Sequence, residues 1–389
     1  MRSLLRWGLV GAYPTGAGVV LPRGRADPED VRRAAAGQDA VAARAAVRRL
    51  CGSGLAPIEL LRAVADRVET VVPNVASGWQ LTDPATQLAT SGFMENVASA
   101  TLSELIENEL VGGDFAAFNG LTNSRVAVAT LNRATAGEQM RSRRYRRIYA
   151  KIGWTDELRA VLRSGGATWG QLCLARGDGE PKFSAAEVDF LTSVAGCVGA
   201  GLRSGVLLEY ATSAKPYRRT PGLMVLRDDG SVDSVSDQAL EWLSELREEG
   251  NEFPAVIYEV ARRARMLADC DDLGPPARVR LRLPSQQWLV VHGARLRSPS
   301  QGHASTAIML ESADHADMAP LIMQACELTP RERQIVEMLL RGEPIAEMAS
   351  TLWLSPYTVR DHIKAIYNKL GVRSRPELTT KMYYEHYGA

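Results

Sequence analysis

Apolar residues recur along this chain in two alternating periods. A period near 3.6 runs through Ala34–Leu50 and, beyond the break at Cys51–Gly54, through Pro57–Val72. There Ile58, Leu61, Val64, Ala65 and Val68 share one helical face. Period two then takes over: Val75–Leu81 and Gln87–Thr90 flank the turn Thr82-Asp83-Pro84 and predict a strand hairpin. Two more strands, Glu157–Leu162 and Trp169–Ala175, are joined by Ser164-Gly165-Gly166. Ser184 is placed to cap a long apolar helix, Ala185–Leu208, with Val188, Leu191, Val194, Ala195 and Val198 as its stripe. Helix, hairpin, middle segment, hairpin, helix is an α+β layout of sensor type.

Residues 217–311 repeat the plan on a smaller scale. Leu223–Leu226 and Val232–Val235 flank Asp228-Asp229-Gly230, a hairpin signal because glycine tolerates positive φ. Helices are predicted at Asp237–Leu246 and Pro254–Leu267. Arg278, Arg280 and Arg282 then alternate with Val279, Leu281 and Leu283, which reads as a half-buried strand; Trp288–Leu296 and Ser305–Glu311 complete five strands.

The last segment is helical throughout. Thr329 with Glu332 forms a capping box, Pro330 fits the first helical position, and Gly342 ends that helix. Pro344 opens a short helix to Leu352, and Ser355-Pro356 opens another that Gly371 stops. On this third helix Val359, Ile363, Ile366 and Leu370 step by four, three and four and pack inward. Tyr357, Arg360, Asp361, Lys364 and Asn368 are left on the opposite face. A short helix, a tight turn and a longer helix with a polar outer face describe a helix-turn-helix, whose second helix fits the DNA major groove.

Leu328-Thr329-Pro330-Arg331-Glu332-Arg333, Gly342, Glu347-Met348-Ala349, Leu354-Ser355, Thr358-Val359-Arg360, His362 and Lys369-Leu370-Gly371-Val372-Arg373-Ser374-Arg375 resemble the LuxR/FixJ/GerE-type DNA-binding domain over about sixty residues. The resemblance implies a four-helix domain in which Arg360, Asp361 and Lys364 face base edges. It places Thr358, His362 and Lys369 near phosphates, with Arg375 in the same DNA-binding set. Arg360 and Lys364 suit the acceptors of guanine. Asp361 departs from the apolar residue usual there: it either accepts from cytosine N4 or pins Lys364 one turn along. Ile345 and Trp353 also depart from the pattern.

Residues 50–210 resemble a GAF domain through Trp79-Gln80-Leu81-Thr82-Asp83-Pro84-Ala85-Thr86, Asp156-Glu157-Leu158-Arg159 and Trp169-Gly170 leading to Phe183-Ser184-Ala185-Ala186-Glu187. Residues 217–312 resemble a PAS domain through Gly222-Leu223-Met224-Val225-Leu226 and the hairpin after it. Together these resemble actinobacterial regulators. The aromatics Trp79, Phe93, Phe115, Trp154 and Trp169 either line a sensor pocket or fill the core. Every histidine lies at position 292 or later, so no histidine-ligated haem or metal site is expected in the first module. No cofactor and no catalytic constellation is expected.

The fold class that follows is multidomain: a flexible arm at 1–33, a GAF-like domain at 34–212, a PAS-like domain at 213–313, a linker helix at 314–327 and the helix-turn-helix at 328–389. The net charge of +1 hides three basic segments. Residues 1–50 hold nine bases against four acids, 141–151 six against none, and 355–375 five against one. Near-neutrality is thus a cancellation, and charge leaves DNA open as a partner. The run Arg141–Lys151 reads as a solvated face or as a contact for a nucleotide, an acidic metabolite or DNA backbone. Five scattered cysteines without C-x-x-C favour a reducing, cytoplasmic setting, and no membrane span is expected. Function follows as sequence-specific transcription regulation in response to a small-molecule or protein signal. The expected partners are double-stranded DNA, a second copy in a homodimer that uses the helix 185–208, and the transcription machinery. The competing reading is a sensing or docking scaffold whose helix-turn-helix no longer reads bases.

Overall fold

The computed structural model describes residues 38–213, 219–246, 254–269, 274–297 and 304–384. The arm expected at 1–33 lies outside them. Helices α1 (Gln38–Cys51) and α2 (Pro57–Glu69) come first. Pro57 opens α2, where its missing N–H leaves no bond unmade, and Leu60, Leu61, Val64, Ala65 and Val68 face inward. Strands β1 (Ala76–Thr82) and β2 (Ala89–Glu95) form the expected hairpin, but β2 starts later than Gln87. Gln87 is held left-handed in the turn (φ 62), its N–H donating to Asp83 O at 2.7 Å.

The middle segment, for which the pattern predicts no elements, holds α3 (Ser99–Val111), α4 (Phe118–Thr122), β3 (Val128–Thr130) and α5 (Leu131–Ala134). A π turn at Tyr145–Tyr149 then leads into α6 (Ala150–Ile152). Strands β4 (Trp154–Ser164) and β5 (Ala167–Gly177) outrun their predicted ends because the ladder continues past bulges at Trp154/Asp156 and Leu162/Arg163. The five strands are antiparallel in the order β2-β1-β5-β4-β3.

Helix α7 (Ala185–Ala211) opens on a capping box in which Glu187 N–H donates to Ser184 Oγ and Ser184 N–H donates to Glu187 Oε2. By length and composition it could cross a bilayer. One apolar face belongs instead to the core: Phe190, Leu191, Val194, Ala195, Val198 and Leu202 pack with Trp79, Leu158, Ala160 and Leu162 of the sheet and Leu60, Leu61 and Val64 of α2. Gly199 sits so close to Arg163 that a Cβ would lie 2.6 Å from its backbone. At Gly201 and Gly205 a Cβ would lie 3.1 Å from Cys51 Cα and 3.0 Å from Pro57 Cγ. Toward its C-terminal end Leu208 stays 49% exposed. The sheet, α1 and α2 cover the stripe, and the helix is long because it serves all three. The same contact sets Cys51 beside Cys197, although 146 positions separate them; burial first, then its neighbour, pushes the Cys51 thiol up to about 12.

The second module has β6 (Gly222–Leu226), β7 (Val232–Val235), α8 (Asp237–Leu246), α9 (Ala255–Asp269), β8 (Arg278–Arg282), β9 (Trp288–Arg297) and β10 (Ala304–Ser312). Its strand order, β7-β6-β10-β9-β8, is that of the first sheet. The hairpin closes at Gly230 (φ 85) as expected. The arginine face of β8 is not turned to solvent. Arg280 is buried on Asp83 of the first module (2.8 Å) and also donates its backbone N–H to that carboxylate. Arg282 reaches Glu209 of α7 at 3.5 Å, and Arg278 pairs with Asp317 beyond β10. Across the same junction Ala89 N–H donates to Glu259 Oε2 of α9 (2.7 Å).

Helix α10 (His315–Ala325) follows, capped by Asp314. Met318, Leu321, Ile322 and Ala325 belong to the core of the first module, whereas Met323 belongs to that of the C-terminal helices. Those helices are α11 (Pro330–Leu340), α12 (Ile345–Leu352), α13 (Pro356–Leu370) and α14 (Arg375–Thr379).

Candidate nucleic-acid interface

The C-terminal helices are built from their caps inward. Thr329 Oγ1 accepts from Glu332 N–H (3.2 Å) while Thr329 N–H donates to Glu332 Oε2 (2.7 Å), closing the predicted box. Gly342 (φ 90) stands beyond the end of α11, and Arg375 donates from Nε and Nη2 to Leu339 O (2.9 and 2.6 Å), satisfying a carbonyl of its last turn. Ser355 caps α13 by accepting from Thr358 N–H at 3.0 Å, Pro356 fills the first helical position, and left-handed Gly371 (φ 65) stops it. Between α12 and α13 the chain turns on Trp353, a left-handed residue at φ 55, ψ 42.

Val359, Ile366 and Leu370 of α13 pack with Ile335, Val336, Leu339, Met348, Ala349 and Leu352, and Ile363 lies at the margin of this core. With one side of α13 committed, the other is presented outward. Arg360, Asp361, Lys364 and Asn368 are exposed; Thr358 and His362 are half-buried beside them. No ion pair joins Asp361 to Lys364 among the described residues, so both charges are offered outward.

Two of the expected DNA-binding residues have structural work. Lys369 Nζ donates to Glu332 Oε2 (2.7 Å) and to Glu327 O (3.1 Å), using two of its three protons inside the chain. Burial alone would raise the Glu332 carboxyl, but hydrogen bonds from Lys369 and Thr329 outweigh it and hold the group below its ordinary value. Arg375 is the clamp on α11 just described. Sequence placed both in the binding set because their partners lie 37 and 36 positions away. Trp353, which departs from the family pattern, is 94% exposed, and Tyr357 is 72% exposed. Their contiguity with the polar face of α13 was the available signal.

The aromatics proposed as a sensor pocket do not share a chamber. Trp79 and Phe93 stack at 6.5 Å within the core under α2 and α7, and Trp169, also in that core, donates its indole N–H to Ser164 O (3.0 Å). Phe115 and Trp154 lie elsewhere, in a small cluster with Leu131, Ile148 and Tyr149. Only Phe93 of the five borders a cleft of about 560 Å³ between the modules.

The basic run turns inward at its centre. Arg144 is fully buried, at 2.7 Å from Glu157 and 3.6 Å from Asp114, and Arg143 donates to Asn108 and Gly112. Arg159 adds a second cation, 3.0 Å from Glu157. Burial works to raise Glu157, but Arg144 and Arg159 outweigh it and keep the carboxyl lowered. Arg141, Arg146, Arg147 and Lys151 remain exposed. Counter-charges from the preceding loop and from β4 thus make the centre of the run an internal network, while its other bases form the solvated face.

Residues 327–382 match the family model described as bacterial regulatory proteins, luxR family. The chain is 40% identical over 55 residues to the spore germination protein GerE of Bacillus subtilis, covering 74% of that protein and 14% of this chain. It is 45% identical over 56 residues to the transcriptional regulatory protein UhpA of Escherichia coli, covering 29% of that protein and 14% of this chain. The chain thus spans under a third of UhpA. A crystal structure of the VqsR LBD domain from Pseudomonas aeruginosa aligns with 41% of this chain and 93% of its own, at 16% identity and a TM-score of 0.30. The matched stretch coincides with the capped, closely packed helices α11–α14, and by it the chain belongs to the luxR family of bacterial regulatory proteins.

Proposed function

We propose that this protein is a DNA-binding transcription regulator that inserts α13 into the major groove. The observation that carries the reading is the outer face of α13: Arg360 and Lys364 stand exposed on a helix whose other side is fixed in a core. On this reading Arg360 and Lys364 donate to guanine edges, Asp361 accepts from cytosine, and Thr358 and His362 meet phosphates. Lys369 has one proton left for that purpose. The two upstream modules act as GAF-like and PAS-like sensors of a small molecule or protein, and a homodimer reads two half-sites. Their shared strand order supports a common sensor architecture.

Selection of bound fragments from random DNA by the purified full chain tests the reading. A sequence-preferring site with paired half-sites is expected. Weak, uniform binding without a preferred site would overturn it in favour of a scaffold without base readout.

A further inference from the structure

We infer that Trp353 and Tyr357 form an aromatic lip on the DNA-binding surface, Trp353 packing on the sugar-phosphate edge of the groove and Tyr357 reaching the bases. The inference rests on the major-groove reading and adds two contact residues that the charged set does not include.

Among the described tryptophans Trp353 is an anomaly. Trp79, Trp169 and Trp242 are buried, and Trp154 and Trp288 are half-buried, whereas Trp353 leaves nearly its whole surface to solvent. Its backbone is left-handed, a conformation that bulky residues rarely adopt. The turn therefore holds a large apolar ring outward at a position where glycine or asparagine would relieve the backbone.

Its place in the motif says what meets the ring. In a helix-turn-helix the first helix crosses the DNA backbone and the N-terminal residues of the second meet base edges. Trp353 lies between the two, at the rim of the groove. Tyr357 is in the first turn of α13, three residues before Arg360 and seven before Lys364, so the phenol continues their stripe. On the same face Arg360 and Lys364 stand exposed against the one acid Asp361. That charge complements a polyanion rather than an apolar partner. A rigid ring on deoxyribose adds affinity that carries no charge, and a phenol among the bases suits the thymine methyl group.

The test uses the full chain and the DNA site selected by the wild type. Trp353→Asn keeps a residue that tolerates the left-handed turn, so the fold is retained. Its affinity should fall roughly tenfold, as for loss of one aromatic anchor, while the salt dependence keeps its slope because no charge is removed. Tyr357→Ala should relax the preference for thymine at one position. Saturating DNA should quench or blue-shift the tryptophan emission of the wild type, and this change should be missing from Trp353→Asn. Unchanged affinity and unchanged emission with a well-bound site overturn the aromatic lip and leave the DNA reading standing. Failure of the wild type to select any site overturns both. Loss of self-association in Trp353→Asn at unchanged DNA affinity assigns the ring to a second copy and also overturns the inference.

Discussion

Raising the pH should weaken the junction between the two modules through one carboxyl group. Glu259 of α9 is buried where it accepts the Ala89 N–H, and its pKa is pushed up from 4.5 to about 7. Burial is the main cause; the Ala89 hydrogen bond opposes it and the charge of Glu109 adds to it. The neighbouring cations on α9 are engaged elsewhere, Arg262 with Glu107 at 3.1 Å and Arg263 Nε with Pro275 O at 2.9 Å. An undocked Glu259 loses its proton near 4.5, whereas the docked one keeps it to about 7. The docked state therefore binds more protons in that window. Its stabilisation is complete below 4.5 and is lost as pH rises through 7, a total of about 3 kcal/mol. Hydrogen exchange at the Ala89 amide, corrected for the chemical rate, reads this directly. Protection should fall by roughly a hundredfold across the window. Glu259→Gln keeps an acceptor oxygen but cannot ionise, so its corrected profile should be flat. Coincident profiles for the two proteins would refute the argument, because they would mean that Glu259 titrates as an ordinary surface acid.

Other perturbations have definite outcomes. Gly199→Ala places a methyl 2.6 Å from the Arg163 backbone and should lower stability by about 1–3 kcal/mol, seen as a reduced melting temperature. Arg144→Met leaves Glu157 and Asp114 short of a buried counter-charge and should cost about 3–5 kcal/mol in denaturant unfolding followed at the first module. Thr329→Ala opens the capping box of α11 and should cost about 1 kcal/mol, measured by urea unfolding of the C-terminal helices. Arg360→Ala should cost about 1–3 kcal/mol at one base position of the selected site and reduce the salt slope, both read by titration of site variants.

What could be read from the sequence was what is local. Thr329 and Glu332, Ser355 and Pro356, and Gly371 fix helix ends within a few residues of themselves, so α11–α13 were legible almost end to end. Strand positions followed from alternation, but their ends did not: a left-handed Gln87 delays β2, and β4 and β5 continue past bulges at Trp154/Asp156 and Leu162/Arg163. The contacts that the pattern does not show are those with distant partners. Arg144, Arg280, Lys369 and Arg375 are long cations that look solvent-facing in a linear pattern. Each is claimed by an acid or carbonyl that only the fold brings near: Glu157, Asp83, Glu332 and Leu339. Burial of a cation depends on its counter-charge, which periodicity does not encode. The segment 96–153 stayed unread because its helices are mostly too short to show a period.

Helix α10 gives side chains to two cores at once, and this makes the link between them thermodynamic as well as mechanical. Displacing it along its axis by one turn, about 5.4 Å, would unseat Met318, Leu321 and Ile322 from the first module and Met323 from the helix-turn-helix in the same step. An arrangement of α10 favoured by one end of the molecule is thereby imposed on the other, and such coupling is reciprocal. If a signal alters the grip on DNA through α10, an operator fragment must alter the grip on the signal by the same factor. Operator DNA is then itself an effector of the upstream modules.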